Sequence, residues 1–124
     1  MEDTLRSGLL SVVLPSYNEE ASIPRAADTI TAILIDADIP HELVFVDDGS
    51  RDRTWTVIQE QAGRHPQVRG VRFSRNFGKE AAIFAGLAQA RGDCTLVMDC
   101  DLQHPPEKAV EMYRLWQEGY QVVE

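Results

Sequence analysis

The chain has 124 residues, a length that accommodates one domain with a hydrophobic core. Its hydrophobic content of 44% and charged content of 26% are ordinary for a globular domain, whereas its formal net charge of −8 argues against nucleic acid as a partner. An acidic protein that binds an anionic ligand needs local help from a metal ion, a helix N-terminus or a few placed cations.

The two cysteines, Cys94 and Cys100, show neither a zinc-binding spacing nor a C-x-x-C motif. We expect them on one strand, facing the same way, as free thiols in a reducing compartment. The first residues, Met1–Asp3, lack the basic and apolar start of a signal peptide, and no apolar run approaches the ~20 residues of a membrane span. We therefore expect a cytoplasmic location.

Apolar runs alternate with segments of helical periodicity along the chain. The runs predict four strands: Leu9–Leu14, Leu43–Val46, Val68–Phe73 and Thr95–Met98. Helical spacing and capping residues predict four helices: Ala21–Asp36, from Asp52 or Ser50 to Gly63, Lys79–Ala90 and Pro105–Glu118. The alternation predicts an α/β fold, a mainly parallel sheet with helices on both faces, in which ligands bind beyond the carboxyl ends of the strands.

The last residues, Gly119–Glu124, read as the opening of a fifth strand. A natural domain seldom ends partway into a βα unit, so we expect a truncated sheet. Its exposed edge strand would invite pairing with a second copy of the chain.

Two carboxylates follow the fourth predicted strand, within Met98–Pro106. Because side chains alternate along a strand, we expect Asp99 and Asp101 on one face at its carboxyl end. Such a pair suits a hard divalent cation that holds a diphosphate, although two acidic loop residues ending a strand would read the same way. His104 is either a metal or diphosphate ligand or, as a lone histidine more often is, a polar loop residue.

Polar residues also follow the first two predicted strands. Tyr17 can pack on a planar base while Glu19 accepts a hydrogen bond from a ribose or base, although acidic residues in a first helical turn explain the same pattern. Asp47 can accept from a nucleobase N–H, although Asp47–Ser50 also has the composition of a turn.

After the third predicted strand, the cationic loop Arg75–Lys79 leads into a helix. A cationic loop at a helix N-terminus is a ready anion site. The alternative is a pair of solvated cations. If the loop does bind an anion, it provides the local positive charge that an acidic protein needs.

Four segments together resemble the motifs of family 2 glycosyltransferases, and among these the bacterial polyprenyl-phosphate glycosyltransferases related to dolichyl-phosphate mannosyltransferase. The segments are Val12–Glu20, Val46–Asp52, Ser74–Ala82 and Met98–Glu107. They stand in the family's order and cover nearly the whole chain. The resemblance implies a GT-A fold and an inverting transfer of a sugar from a UDP- or GDP-sugar to a polyprenyl phosphate.

By motif position, the resemblance places Pro15, Tyr17, Glu19 and Asp47 in the nucleoside pocket. Residues 1–124 then correspond to the donor half, because the family's acceptor half and membrane-associating C-terminal segment follow this region. We expect the whole enzyme at the cytoplasmic face of the membrane. We expect this chain alone to bind nucleotide and metal weakly and to transfer no sugar.

The resemblance also implies that Asp99 and Asp101 hold Mg²⁺ or Mn²⁺ on the diphosphate, with Gln103 beside them and Lys79 near the phosphates. Cys100 departs from the family, which more often has Ala between the two acids. We expect its side chain to point away from the metal and its thiol to make the site sensitive to oxidation.

Two other functions are consistent with an α/β protein that carries these acids. A nucleotidyltransferase normally needs a Gly-rich basic loop after its first strand, and Pro15–Glu20 contains neither Gly nor a cation. A non-catalytic nucleotide-binding or scaffold module is the alternative from a different class. The intact pair Asp99 and Asp101 argues against such a loss of function.

Overall fold

Four strands and four helices alternate along residues 8–103 and 105–120, the part of the chain that the computed structural model describes. The strands are β1 (Leu10–Ser16), β2 (His41–Asp47), β3 (Val68–Arg72) and β4 (Cys94–Val97). The helices are α1 (Ile23–Asp36), α2 (Thr54–Arg64), α3 (Lys79–Gln89) and α4 (Lys108–Gln117). The predicted α/β order is confirmed.

The strands form one parallel sheet in the order β3-β2-β1-β4. Strand β1 pairs with β2 along its whole length and with β4 only as far as Val13, which lies opposite Val97. Strands β1 and β2 read as continuous apolar runs because central parallel strands are buried on both faces. The chain places β2 and β3 on one side of β1 and β4 on the other, so the switch point of the sheet lies between β1 and β4.

Helices cover both faces of the sheet, as predicted, but unequally. On one face α1, α2 and α4 pack over Leu10, Val12 and Leu14 of β1 and their neighbours, and they form the larger hydrophobic core. On the other face α3 packs through Ala82 against a smaller cluster that includes Val13. The alternation of side chains along β1 therefore divides its residues between two cores of different size.

Several element boundaries differ from the predicted ones. Helix α1 begins at Ile23 rather than Ala21 because the chain first turns through Asn18, which has a positive φ of 53°. Helix α4 begins at Lys108, since Pro105 and Pro106 form the turn that precedes it.

The first two residues of the predicted fifth strand do not form a strand. Gly119 and Tyr120 lie outside any strand, and residues 121–124, like His104, lie outside the described residues. Gly119 has a positive φ of 110° just after α4, the usual position of a helix-ending glycine. Among residues 8–103 and 105–120, no helix is long and apolar enough to cross a membrane.

Candidate functional site

A cleft of about 310 Å³ opens at the carboxyl ends of β1 and β4, at the switch point of the sheet. The end of β1, the segments after β1, β2 and β4 and the start of α3 supply its lining: Pro15, Ser16, Tyr17, Glu19, Asp48, Lys79, Ala82, Asp99, Cys100, Asp101 and Gln103. All the predicted site residues except Asp47 are among them. The fold therefore brings together motifs that lie far apart in the sequence.

Asp99 and Asp101 reach the cleft from a turn rather than from a strand. Strand β4 ends at Val97, and the backbone N–H of Leu102 donates to the carbonyl of Asp99 at 3.2 Å. Leu102 closes this turn with a positive φ of 55°. The prediction that strand alternation places both carboxylates on one face is therefore wrong, although both carboxylates do line one cleft.

Each of these carboxylates has a protein partner. Lys79 Nζ lies 2.9 Å from Asp99 Oδ1, while Gln103 Nε2 donates to Asp101 Oδ2 at 2.8 Å. The hydrogen bond to Asp99 and the attraction between the two charges raise the pKa of Lys79 above its usual value. The Gln103 contact fixes the direction of the Asp101 carboxylate toward the cleft residues.

The two carboxylates fit a hard divalent cation by the chemistry of their oxygen donors. Magnesium commonly binds through one or two carboxylates and takes its other ligands from phosphates and water. In the described part of the chain, no group of three or more His, Cys, Asp or Glu side chains is placed to hold a metal by itself. Asp99 and Asp101 thus offer part of a coordination shell that a diphosphate can complete.

The segment after β1 is tied to the segment after β2. The backbone N–H of Asn18 donates to Ser50 Oγ, and Asn18 Oδ1 accepts from the N–H of Arg51, both at 2.9 Å. The N–H of Glu19 donates to Thr54 Oγ1 at the same distance. These bonds set the positions of Tyr17 and Glu19 at the cleft.

The side chains of Tyr17 and Glu19 have different exposure. Tyr17 is 41% exposed, which leaves its ring available for stacking. Glu19 Oε2 is buried and has no hydrogen-bond partner among the residues that the structure describes. A buried carboxylate oxygen without a donor is costly, so a ligand hydroxyl or N–H at this point would relieve it.

The two adjacent acids after β2 have different surroundings. Asp47 is buried and its Oδ1 accepts from the N–H of Ser50 at 2.9 Å. This hydrogen bond forms the turn over Asp47–Ser50 that the sequence offered as the alternative to a nucleobase contact. Its role in a nucleoside pocket stays a prediction. Asp48 lines the cleft and accepts hydrogen bonds from the loop before α3, through the N–H groups of Phe77 and Gly78.

The contacts of Asp48 were not predicted from the sequence. The loop amides that favoured an anion site there donate instead to a carboxylate of the chain itself. The sequence feature that could have indicated these contacts is the pair of adjacent acids after β2, since a turn requires only one carboxylate. Nothing local in the sequence shows which of the two reaches a loop 29 residues away.

Cys100 points into the larger core rather than toward the carboxylates. Its Sγ lies 2.9 Å from Ser16 Oγ and the side chain is buried. Burial raises the pKa of this thiol to about 12, and the Ser16 contact offsets only part of the effect. The membership of Cys100 in the core cluster agrees with the expected orientation, which stays a prediction with respect to a metal. The expected sensitivity to oxidation is not supported, because the reactive form of a cysteine is the exposed thiolate.

Cys94 and Cys100 do not share a strand, contrary to the prediction. Strand β4 begins at Cys94 and ends at Val97, before Cys100. The two cysteines are not joined to each other in a disulfide.

Two relatives by sequence show what kind of protein contains these motifs. The chain is 44% identical over 116 residues to the undecaprenyl-phosphate 4-deoxy-4-formamido-L-arabinose transferase of Pseudomonas aeruginosa. The matched region covers 93% of this chain and 34% of that protein. It is 42% identical over 113 residues to the glycosyltransferase YkcC of Bacillus subtilis, with 91% and 35% covered. The chain thus spans about a third of the length of these relatives.

Solved structures of glycosyltransferases are also similar to this chain. The mannosyltransferase PcManGT of Pyrobaculum calidifontis, in complex with GDP-Man and Mn²⁺, matches with a TM-score of 0.73 and 26% identity over 91% of this chain and 34% of its own. The glucosyl-3-phosphoglycerate synthase of M. tuberculosis matches with a TM-score of 0.70 and 30% identity over 90% of this chain and 41% of its own. The predicted GT-A type of α/β fold is confirmed for the part of that fold present here.

The family described as Glycosyl transferase family 2 matches residues 11–123. That range contains every lining residue of the cleft and all four strands except Leu10, the first residue of β1. The match therefore rests on the same segments that build the candidate site, and the chain belongs to glycosyl transferase family 2.

Proposed function

We propose that this chain forms the donor-binding half of an enzyme that transfers a sugar from a UDP- or GDP-sugar to a polyprenyl phosphate. The observation that carries the proposal is the cleft at the switch point. There, a buried acceptor on Glu19, the exposed ring of Tyr17 and the carboxylates of Asp99 and Asp101 line one cavity. That combination suits a nucleoside at one end and a metal-bound diphosphate at the other.

The nucleoside end of the proposed site is built by the segment after β1. Tyr17 packs on the base or ribose, Pro15 borders it, and Glu19 accepts from a hydroxyl or N–H. Asp47 accepts from a base N–H through the oxygen that does not bond Ser50. These roles are supported by the motif resemblance and by the lining of the cleft.

The diphosphate end is built by the turn after β4 and the start of α3. Asp99 and Asp101 would hold Mg²⁺ or Mn²⁺, which supplies neutralisation of the charge on the departing nucleoside diphosphate. Gln103 holds Asp101 in place, and Lys79 brings a further positive charge to the same end. The solved mannosyltransferase with GDP-Man and Mn²⁺ supports a metal-assisted donor site.

The proposed acceptor is supported by the relative whose name states an undecaprenyl-phosphate substrate. A phosphate monoester has a second pKa of about 6 and is largely ionised at pH 7. Its oxygen can attack the anomeric carbon as the bond to the donor diphosphate breaks, with inversion, and no strong protein base is needed. This is consistent with our assigning no base among the residues of the cleft.

Calorimetry with UDP, GDP, UTP and GTP, each with and without Mn²⁺, tests the proposal. We expect the diphosphates to bind only with Mn²⁺ and more tightly than the triphosphates. The double variant Asp99→Asn/Asp101→Asn should lower the metal-dependent affinity at least about tenfold, because even indirect metal partners contribute that much. Asp93→Asn is the matched control, since Asp93 accepts from the N–H of Leu9 at the opposite end of the sheet.

The other possible results identify the alternatives. Tighter binding of the triphosphates would favour a nucleotidyltransferase. Binding that ignores both Mn²⁺ and the double variant would favour a non-catalytic module.

A further inference from the structure

Asp48 makes an unusually complete set of contacts for a carboxylate at the edge of a cleft. It is 4% exposed, and its Oδ1 accepts from the N–H of Phe77 at 2.8 Å. The N–H of Gly78 lies 3.2 Å from Oδ1 and 3.1 Å from Oδ2, and Asn76 Nδ2 donates to Oδ2 at 3.1 Å. One side chain after β2 therefore binds three consecutive residues of the loop before α3.

The backbone around this contact is shaped to bring the two loops together. Gly49 has a positive φ of 68°, and a Cβ there would collide with the backbone of Arg75 and Asn76. Gly78 has a positive φ of 105° and is the residue before the first turn of α3. Glycine is the residue that adopts such angles without strain.

The same contact changes what the N-terminus of α3 can do. The positive end of a helix dipole and its free N–H groups normally attract an anion, and here Asp48 supplies it. The amides of Phe77 and Gly78 are therefore already used within the chain. A donor diphosphate in the cleft would therefore find these two amides occupied, whereas the ammonium of Lys79 lines the cleft.

We propose that Asp48 is a positioning residue, whose carboxylate holds the Asn76–Gly78 loop so that Lys79 reaches Asp99 across the cleft. The link is short, because Gly78 is bonded to Asp48 and Lys79 is the next residue, with Nζ 2.9 Å from Asp99 Oδ1. The consequence for nucleotide binding rests on the proposed function. The position of Lys79 relative to Asp99 is independent of that function.

Amine labelling of the ligand-free chain tests the geometry directly. The chain has two lysines, Lys79 and Lys108, so mass spectrometry after brief acetylation separates them and Lys108 serves as an internal reference. In Asp48→Asn the amide nitrogen would face the donors of Asn76 and Gly78, and the loop should loosen. We expect Lys79 to label about two- to fivefold faster than in the unchanged chain, the range that loss of an exposed ion pair permits.

Glu42→Gln is the matched control for this experiment. Glu42 is also a buried carboxylate bonded to a backbone N–H, but that N–H belongs to Arg91, beyond the opposite end of α3. It should destabilise the fold without changing the relative labelling of Lys79. Asn76→Ala removes one donor to Asp48 and provides a milder second variant should Asp48→Asn fail to fold.

Nucleotide binding forms a separate arm. We expect Asp48→Asn to lower the Mn²⁺-dependent affinity for UDP or GDP about tenfold, and Glu42→Gln to leave it within about twofold. If the unchanged chain binds no nucleotide, the proposed function fails while the labelling still decides the role of Asp48. Unchanged Lys79 labelling in the Asp48→Asn variant, or in Asn76→Ala where Asp48→Asn does not fold, would overturn the proposal. An equal increase in Glu42→Gln would overturn it as well.

Discussion

Lys79 already pairs with one of the two carboxylates that would hold the proposed cation. The ammonium of Lys79 lies 2.9 Å from Asp99 Oδ1, and both of these side chains are partly open to solvent. In a cleft whose other charged lining residues are acidic, the lysine lowers the repulsion among Glu19, Asp99 and Asp101. A divalent ion held by Asp99 through Oδ1 would compete with Lys79, whose ammonium would then be available to a phosphate.

Replacing Lys79 by Met should therefore have opposite effects on two ligands. Without nucleotide, we expect Mn²⁺ to bind about two- to fivefold more tightly, because the competing exposed ion pair is gone. With Mn²⁺ present, we expect UDP or GDP to bind more weakly, because a positive partner of the diphosphate is lost. Titration of free Mn²⁺ by electron paramagnetic resonance measures the first effect and calorimetry measures the second.

Lys108→Met is the control for this pair of measurements, since Lys108 pairs with Glu111 on α4. Weaker Mn²⁺ binding in Lys79→Met would show that Lys79 supports the cation rather than competing with it.

At the scale of elements, helix α3 lies unusually close to the sheet. Gly86 is buried in its third turn, and a Cβ there would collide with Val13 Cγ1 of β1. Val13 belongs to the small core on that face and is itself fully buried. The absence of a side chain at Gly86 thus determines how near the start of α3, with Lys79, lies to the carboxyl ends of the strands.

Gly86→Ala should destabilise the fold despite the better helix propensity of Ala. Overpacking costs about 1–3 kcal/mol, whereas the propensity gain is about 1 kcal/mol, so we expect a net loss of about 1 kcal/mol. Gly63→Ala in α2, where a Cβ meets nothing within 4 Å, should gain about 0.5 kcal/mol instead. Urea unfolding of both variants measures the difference, and a stabilised Gly86→Ala would contradict the close packing.

The opposite end of α3 is held by a buried charge network. Glu42 on β2 accepts from Ser11 Oγ at 2.6 Å, from the N–H of Arg91 at 2.7 Å and from Arg69 Nη2 at 2.9 Å. Burial by itself would raise the pKa of Glu42, but these hydrogen bonds and the Arg69 charge outweigh it, and the pKa is lowered. The ionised form is therefore the one that stabilises the fold.

This network should make stability depend on pH in the acid range. Because the pKa of Glu42 is lower in the folded chain, its contribution is complete above the ordinary value of 4.5 and is lost as the pH falls through the lower folded value. We expect the urea concentration at half unfolding to decrease as the pH is lowered below 4.5. In Glu42→Gln this decrease with pH should be less steep. Glu60→Gln, at an exposed pair with Arg53, should keep the slope of the unchanged chain.

At the scale of the whole molecule, the sheet and most of the site could be predicted from sequence. Strands β1 and β2 were visible because their runs are buried on both faces, and α3 because its helical composition is uninterrupted between Gly78 and Ala90. Parallel strands place their carboxyl ends at one edge, so motifs that follow strands must converge there. This is why Tyr17, Lys79 and Asp99 meet as expected.

The parts that could not be predicted depend on long-range packing. An Asp-x-Asp sequence is equally consistent with a strand and with a turn. The turn at Asp99 forms because β4 stops pairing with β1 at Val97. The partners of Asp48 lie in the loop after the neighbouring strand β3, too far along the chain for any local pattern to show. The unequal size of the two cores also depends on which helices pack on which face. Pairing of copies through the sheet edge stays a prediction.

The ties between the segments after β1 and β2 have a thermodynamic consequence. Asn18 and Glu19 are bonded to Ser50, Arg51 and Thr54 by hydrogen bonds within the chain. Ordering a loop costs free energy, and a loop ordered during folding does not incur that cost again when a ligand arrives. The end of the cleft near Tyr17 and Glu19 is thus held by bonds formed during folding, and a ligand that binds there does not have to assemble it.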